Sequence, residues 1–200
     1  MIRSQGGKPY HWVFLPGGPG LGSESLDGLT KILHLPGTIW HLDLPGDGSN
    51  LTSNDRESFS QWSAALVEAL AALDNVILVA HSTGGMYALA TEKLEGLLTG
   101  LILMDSAPDA SWQQIFMDYV KQHPIAEVEA LQKIYADAPD NNKLKELVIA
   151  SAPYLFNATG LKKLFLFFKH YLLILQPVNG RRKILMNATE RDGSRKRSRH

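Results

Sequence analysis

The sequence contains no cysteine, which excludes disulfide bonds, a thiolate nucleophile and metal sites built on cysteine. We also expect no secretory leader, because Met1–Tyr10 is polar and rich in glycine. The longest apolar stretch, Leu164–Leu175, is interrupted by Lys169 and His170 and is shorter than the roughly 18 to 20 residues of a membrane span. We therefore expect a cytoplasmic protein without a membrane span, held together by packing alone.

The charge balance is uneven along the chain, although the formal net charge is +0. Residues 181–200 carry 8 of the 20 basic residues but 2 of the 20 acidic ones. Such a tail is expected to be disordered, and its charge raises the alternative of an anchor for nucleic acid or acidic membrane. We expect no specific nucleic-acid partner. The 200 residues are enough for one ordinary domain.

Four short apolar runs, separated by segments long enough for helices, predict an α/β fold with a mostly parallel sheet. These runs are His11–Leu15, Thr38–Asp43, Val76–Ala80 and Leu101–Asp105.

Helical patterns fill most of the space between and after these runs. The predicted helices are Phe59–Leu73, Gly84–Leu94, Ser111–Gln122, Ala126–Ala136 and Lys143–Ala150. The last three have no strand between them, which indicates a helical lid. The predicted organisation is a partial core at 1–110, a lid at 111–160 and an irregular apolar, then basic, tail at 161–200.

The segment Val76–Gly85, which reads VILVAHSTGG, predicts a strand that runs straight into a serine. A serine held on a sharp strand-to-helix turn needs small residues two positions before and after it, because the backbone there is crowded and strained. Ala80 and Gly84 occupy those positions. The plain alternative is an ordinary strand-helix junction with an exposed serine.

Two glycine-rich loops follow the first two predicted strands. Leu15–Gly20 reads LPGGPG, and glycine lets backbone N–H groups approach a developing oxyanion closely. Leu42–Ser49 reads LDLPGDGS and follows the next strand. Taken alone, either loop is a tight turn.

Together the three motifs resemble the α/β-hydrolase superfamily in order and spacing. The Ser82 turn is similar to its G-x-S-x-G nucleophile elbow, with alanine at the first glycine, and the first loop resembles the HGGPG loop of proline-iminopeptidase-like hydrolases, with Pro16 replacing histidine. The resemblance implies a nucleophile at Ser82 and oxyanion donors at Gly18 and Thr83 N–H. It implies a small-molecule ester or amide substrate, and no metal or organic cofactor.

The resemblance also requires a histidine to take the serine proton and an acid to orient it. In the family these follow two further strands, and no such pattern occurs after Gly160. We therefore expect a chain cut short before the last strands, with a tail from an altered reading frame. Asp105, at the end of the fourth run, is the best candidate acid in the chain, although the alternative that Asp105 caps the turn before Ser106 is favoured over a catalytic role.

No histidine is predicted to be the base. His81 should point away from Ser82, and the others lie in early strands, the lid or the tail: His11, His34, His41, His123, His170 and His200. The missing partners leave two functions open, a serine hydrolase and a non-catalytic hydrolase-like protein that binds a ligand or partner. The substrate and the oligomeric state are not predicted.

Overall fold

The computed structural model of the chain describes residues 8–18, 22–50 and 60–162. The described residues up to Ala110 belong to one compact unit, and those from Ser111 belong to a second. The predicted apolar segment and basic tail, from residue 163 onward, lie outside the described residues. The assignment of 111–160 as a lid stays a prediction.

The first unit is built on a sheet of four parallel strands, in the spatial order β2-β1-β3-β4. Their bounds are β1 His11–Leu15, β2 Thr38–His41, β3 Val76–His81 and β4 Leu98–Met104. The α/β fold with a parallel sheet, predicted from the apolar runs, is confirmed.

The strand ends differ from the prediction by up to three residues. β4 begins at Leu98 and not at Leu101, because Thr99 and Gly100 interrupt the apolar pattern from which the strand was recognised. β2 ends at His41, two residues before the predicted end. β3 extends to His81, which brings the strand directly up to Ser82.

The two central strands are buried on both faces. Alternate side chains of β1 and β3 enter opposite layers, as the two-residue period of a strand requires. Val13, Leu15 and Leu78 pack in one layer with helix α2, at Trp62–Ala71. The opposite layer contains Tyr10, Trp12, Phe14, Leu26, Ile77 and Val79.

Helix α3, at Thr83–Ala90, begins directly after Ser82 and ends four residues before the predicted end, where a short 3-10 helix at Glu92–Gly96 follows. Sequence analysis missed a 3-10 helix at Ser23–Leu26 and the single-turn α1 at Asp27–Thr30. Both are too short to produce a helical period in the sequence.

The second unit contains α4 at Trp112–Gln122, α5 at Ala126–Asp137 and α6 at Asn141–Ala150, followed by a 3-10 helix at Ala152–Tyr154. The Tyr154 hydroxyl joins two of these segments, since it donates to the His123 carbonyl at 2.8 Å and accepts from the Ile125 N–H at 3.0 Å. Among all the helices that the structure describes, none combines the length and apolarity needed to cross a bilayer.

Candidate active site

The candidate site lies where β1 and β3 end. These strands are neighbours at the centre of the sheet and run in the same direction, with Leu15 opposite Ala80. β2 lies beyond β1 and β4 lies beyond β3, so the strand order reverses between the two central strands. In open parallel sheets, ligands bind beyond the carboxyl ends of strands at such a reversal. The loop at Pro16–Gly18 and the turn at Ser82 both lie there.

Ser82 occupies the junction between β3 and α3 in a strained backbone conformation. Its φ of 49° and ψ of −121° lie in a region that residues with a Cβ atom rarely adopt. The Ser82 carbonyl accepts from the N–H groups of Gly85 at 3.0 Å and Met86 at 3.3 Å, and these bonds start α3. The turn changes strand into helix within one residue.

The end of β4 supports this turn from one side. The Ser82 N–H donates to the Met104 carbonyl at 2.9 Å, and the Ser106 hydroxyl donates to the Ser82 carbonyl at 2.8 Å. A side chain at position 85 would collide with the Ser106 hydroxyl, which accounts for Gly85. Sequence analysis missed the role of Ser106, because nothing in its local pattern links it to a turn 24 residues earlier.

The loop after β1 packs against the turn from the other side. A Cβ atom on Gly17 would lie 2.7 Å from the Ser82 Cβ, and one on Gly84 would collide with the Pro16 carbonyl oxygen. The Thr83 hydroxyl donates to the Gly18 carbonyl at 3.0 Å. The structure therefore brings together the three residues that sequence analysis proposed as nucleophile and oxyanion donors.

The loop at 42–50 is held by one carboxylate. Asp43 accepts from the Ser23 N–H at 2.7 Å, from the Ser49 N–H at 2.9 Å and from the Ser49 hydroxyl at 2.8 Å. Burial raises the pKa of Asp43, but these hydrogen bonds outweigh burial and hold the pKa below its ordinary value. Asp43 thus connects the loop at 42–50 to Ser23, the first residue of the 3-10 helix that follows the β1 loop.

Asp105 and His81 lie at the ends of neighbouring strands. Asp105 follows β4, is exposed, and has a φ of 45°. His81 is the last residue of β3 and is half-buried. Burial lowers the pKa of His81, and attraction to Asp105 raises it part of the way back. The net result is a pKa of His81 below its ordinary value of 6.5.

In the part of the chain that the structure describes, no three His, Asp or Glu side chains are grouped so that they could hold a metal ion.

These features define the class of the protein as an α/β protein with its candidate site at the carboxyl ends of the central strands. The sequence profile described as "Alpha/beta hydrolase family" matches residues 12–182, which is most of the chain. The chain belongs to the alpha/beta hydrolase family.

Several solved structures are similar to this chain. The chain is similar to proline iminopeptidase from Mycobacterium smegmatis, with 16% identity and a TM-score of 0.50 over 90% of this chain and 60% of that one. It is also similar to polyneuridine aldehyde esterase, with 24% identity and a TM-score of 0.44 over 60% and 50% of the two chains. Tomato methylketone synthase I matches with 18% identity and a TM-score of 0.41 over 56% and 43%.

The chain thus spans about half of the length of the solved structures it matches, between 43% and 60% for these three. No curated protein sequence matches it.

Proposed function

We propose that the chain is a serine hydrolase of small esters, amides or similar bonds, with Ser82 as the nucleophile. The observation that carries this proposal is the strained turn at Ser82, packed directly against Gly17 of the β1 loop. Strain of this kind costs about 1 to 3 kcal/mol and persists where the surrounding structure enforces it, commonly at active sites.

The reaction would begin with attack of the Ser82 hydroxyl oxygen on a substrate carbonyl carbon, which places a negative charge on the carbonyl oxygen. The N–H groups of Gly18 and Thr83 are the proposed donors to this oxyanion. Thr83 is the first residue of α3, and the first N–H groups of a helix have no partner within the helix. The bond between Thr83 and Gly18 supports this arrangement, because it holds the two segments in contact.

A fluorophosphonate probe tests the proposal, since it forms a bond with an activated serine oxygen and releases fluoride. We expect labelling at Ser82, identified by peptide mass spectrometry, and none in Ser82→Ala. Labelling that persists in Ser82→Ala would show that another residue reacts and would reject the assignment.

The close packing of Gly17 provides a second test. Gly17→Ala adds a Cβ atom that would lie 2.7 Å from the Ser82 Cβ, so either the loop or the turn must move. Displacement of reacting groups by 1 Å can lower rates about 100-fold, and we expect a loss of labelling of this order. Gly28→Ala is the matched control, because nothing lies within 4 Å of a Cβ atom there. Equal labelling of both variants would contradict the proposed geometry.

A ligand-binding protein without catalysis is a second candidate. Among the described residues, no side chain forms a hydrogen bond with the Ser82 hydroxyl, so no activating base is in direct contact with it. Thermal stabilisation by carbonyl compounds in the absence of probe labelling would favour this candidate over the hydrolase.

A further inference from the structure

The two peptide groups on either side of Ser82 are each held by a hydrogen bond from the end of β4. The Ser82 N–H, in the peptide before this residue, donates to the Met104 carbonyl at 2.9 Å. The Ser82 carbonyl, in the peptide after it, accepts from the Ser106 hydroxyl at 2.8 Å. Because peptide groups are planar, the φ and ψ angles of Ser82 set the relative orientation of these two groups. The end of β4 therefore holds Ser82 in its strained conformation.

The Ser106 hydroxyl replaces a bond that the sheet loses at this point. β3 and β4 are in register at His81 and Met104, so Ser82 and Asp105 are the next pair along the strands. Both residues have positive φ angles, 49° and 45°, and leave the strand conformation. In a continued parallel ladder, the Ser82 carbonyl would accept from the backbone N–H of residue 106. The side chain of the same residue makes this bond instead.

The carbonyl that Ser106 holds belongs to the same peptide group as the N–H of Thr83. In a trans peptide, the C=O and N–H bonds point in opposite directions within one plane, so a bond that fixes the carbonyl also fixes the direction of the N–H. A donor to the carbonyl also polarises the peptide, which makes its N–H a stronger donor. The Thr83 N–H is the proposed second donor to the oxyanion. Ser106 is therefore linked to the oxyanion through one rigid group.

Two further donors to the Ser82 carbonyl come from α3 itself. They are the N–H groups of Gly85 at 3.0 Å and Met86 at 3.3 Å, both longer than the bond from Ser106. These donors belong to the helix that begins at Thr83, so they move with the peptide if the turn relaxes. Ser106 belongs to the segment that continues β4, which pairs with β3. Of the three bonds, the one from Ser106 connects this peptide to the sheet.

We propose that Ser106 is a positioning residue that keeps the Thr83 N–H aligned with the oxyanion during the reaction of Ser82. This inference rests on the proposed function. Ser106 touches no reacting atom and exchanges no proton with the substrate. It acts by holding a donor in place before charge develops on the substrate oxygen, so that the donor need not reorient during the reaction.

Saturation kinetics of fluorophosphonate labelling, measured on the full chain, test the inference. Varying the probe concentration separates the binding constant of the probe from the maximal rate of bond formation. In Ser106→Ala we expect this maximal rate to fall about 10-fold with an unchanged binding constant, a smaller loss than the roughly 100- to 1,000-fold of removing an oxyanion donor. Ser25→Ala is the matched control, because the Ser25 hydroxyl makes the same kind of bond, to the Gly22 carbonyl at 2.7 Å. It should label at the wild-type rate.

The amide resonance of Thr83 in a proton–nitrogen correlation spectrum gives a second measurement, which does not depend on any reaction. The Thr83 nitrogen shares its peptide group with the Ser82 carbonyl, so loss of the bond from Ser106 should shift this resonance in Ser106→Ala. Ser25→Ala should leave the resonance unchanged. An unchanged Thr83 resonance in Ser106→Ala rejects the inference.

The outcomes distinguish this inference from the proposed function. If Ser106→Ala labels at Ser82 with the wild-type maximal rate, Ser106 does not position the donor, whereas Ser82 remains the nucleophile. An equal loss in Ser25→Ala also rejects the inference, because the loss of any such hydrogen bond would then be sufficient. If the folded wild type is not labelled at all, the hydrolase proposal fails and this inference fails with it.

If circular dichroism shows that Ser106→Ala does not fold, Gly85→Ala decides. A Cβ atom on Gly85 would collide with the Ser106 hydroxyl and lie 2.7 Å from the Ser106 Cβ, so the hydroxyl must leave its place. Gly96→Ala is the matched control, because nothing lies within 4 Å of a Cβ atom there. A lower maximal rate in Gly85→Ala than in Gly96→Ala supports the inference, and equal rates reject it.

Discussion

The two units of the chain are stabilised in different ways. In the first unit, the central strands carry apolar side chains into layers on both faces of the sheet, and Leu78 is completely buried. Among the described residues of the second unit, 111–162, the buried apolar residues are few, namely Val128, Leu144 and Ala152. Large apolar side chains there are exposed, and Tyr154 joins segments by hydrogen bonds. The comparison indicates that apolar burial stabilises the unit with the strained turn, while local contacts stabilise the helical unit.

The largest loss in the free energy of unfolding should come from opening a cavity in the core of the first unit. Leu78→Ala removes most of a side chain that is 0% exposed, and such changes cost about 2 to 5 kcal/mol. Urea denaturation followed by circular dichroism would measure the free energy of unfolding. A change below about 1 kcal/mol would mean that this core is not what holds the sheet together.

The second largest loss in the free energy of unfolding should come from replacing Asp43, which stabilises the first unit by polar contacts. Asp43→Asn weakens three hydrogen bonds to a charged group, and we expect a loss of about 1 to 3 kcal/mol at pH 7. Because the pKa of Asp43 is lowered in the fold, its contribution is fully present above the unfolded value near 3.8 and disappears as the pH falls through the folded value.

Urea denaturation of the wild type and Asp43→Asn over a range of acidic pH values would check this. The difference between the two proteins should shrink as the pH is lowered below 3.8. A difference that stays constant across this range would show that the charge of the carboxylate is not what the loop requires.

A smaller effect is expected in the second unit. Tyr154→Phe removes the hydroxyl that bonds His123 and Ile125 while keeping the ring, and the expected loss is about 1 kcal/mol. Tyr135→Phe is the matched control, because the Tyr135 hydroxyl has no hydrogen-bond partner among the described residues. Hydrogen exchange at the amide of Ile125 should accelerate in Tyr154→Phe and not in the control; equal exchange rates would contradict the role of the hydroxyl.

The smallest effect should come from an exposed leucine of the second unit. The Leu155 residue is 66% exposed, so Leu155→Ala should change the free energy of unfolding by less than about 0.5 kcal/mol. The same chemical change at Leu78 should cost several times more, and the pair therefore measures the difference between the units. Comparable losses at both positions would show that the two units do not differ in this way.

Sequence reasoning predicted the elements that have a clear period and missed those that depend on distant contacts. The four strands were located because apolar runs end at Gly, Pro, Asp or Ser, and α4 and α5 were placed within one residue at each end. The start of β4 was not predicted because Gly100 interrupts its apolar pattern. Helix α1 was not predicted because it is too short to produce a helical period.

At the site, the pattern around Ser82 predicted a tight strand-to-helix turn, and the structure has one at this position. The supporting bond from Ser106 and the nearness of His81 to Gly17 could not be predicted, because they depend on how the strand ends meet in space. The roles of Ser82, Gly18, Thr83 and Asp105 in catalysis stay predictions.

The positive φ angle of Ser82 has a consequence for the folding stability of the protein. Glycine adopts such an angle freely, whereas a residue with a Cβ atom adopts it against steric resistance. Folding alone would thus favour glycine at position 82, and the chain would withstand heat or denaturant better with it. A hydroxyl-bearing residue that weakens its own surroundings is the pattern expected where reactivity, and not robustness, decides which residue is kept.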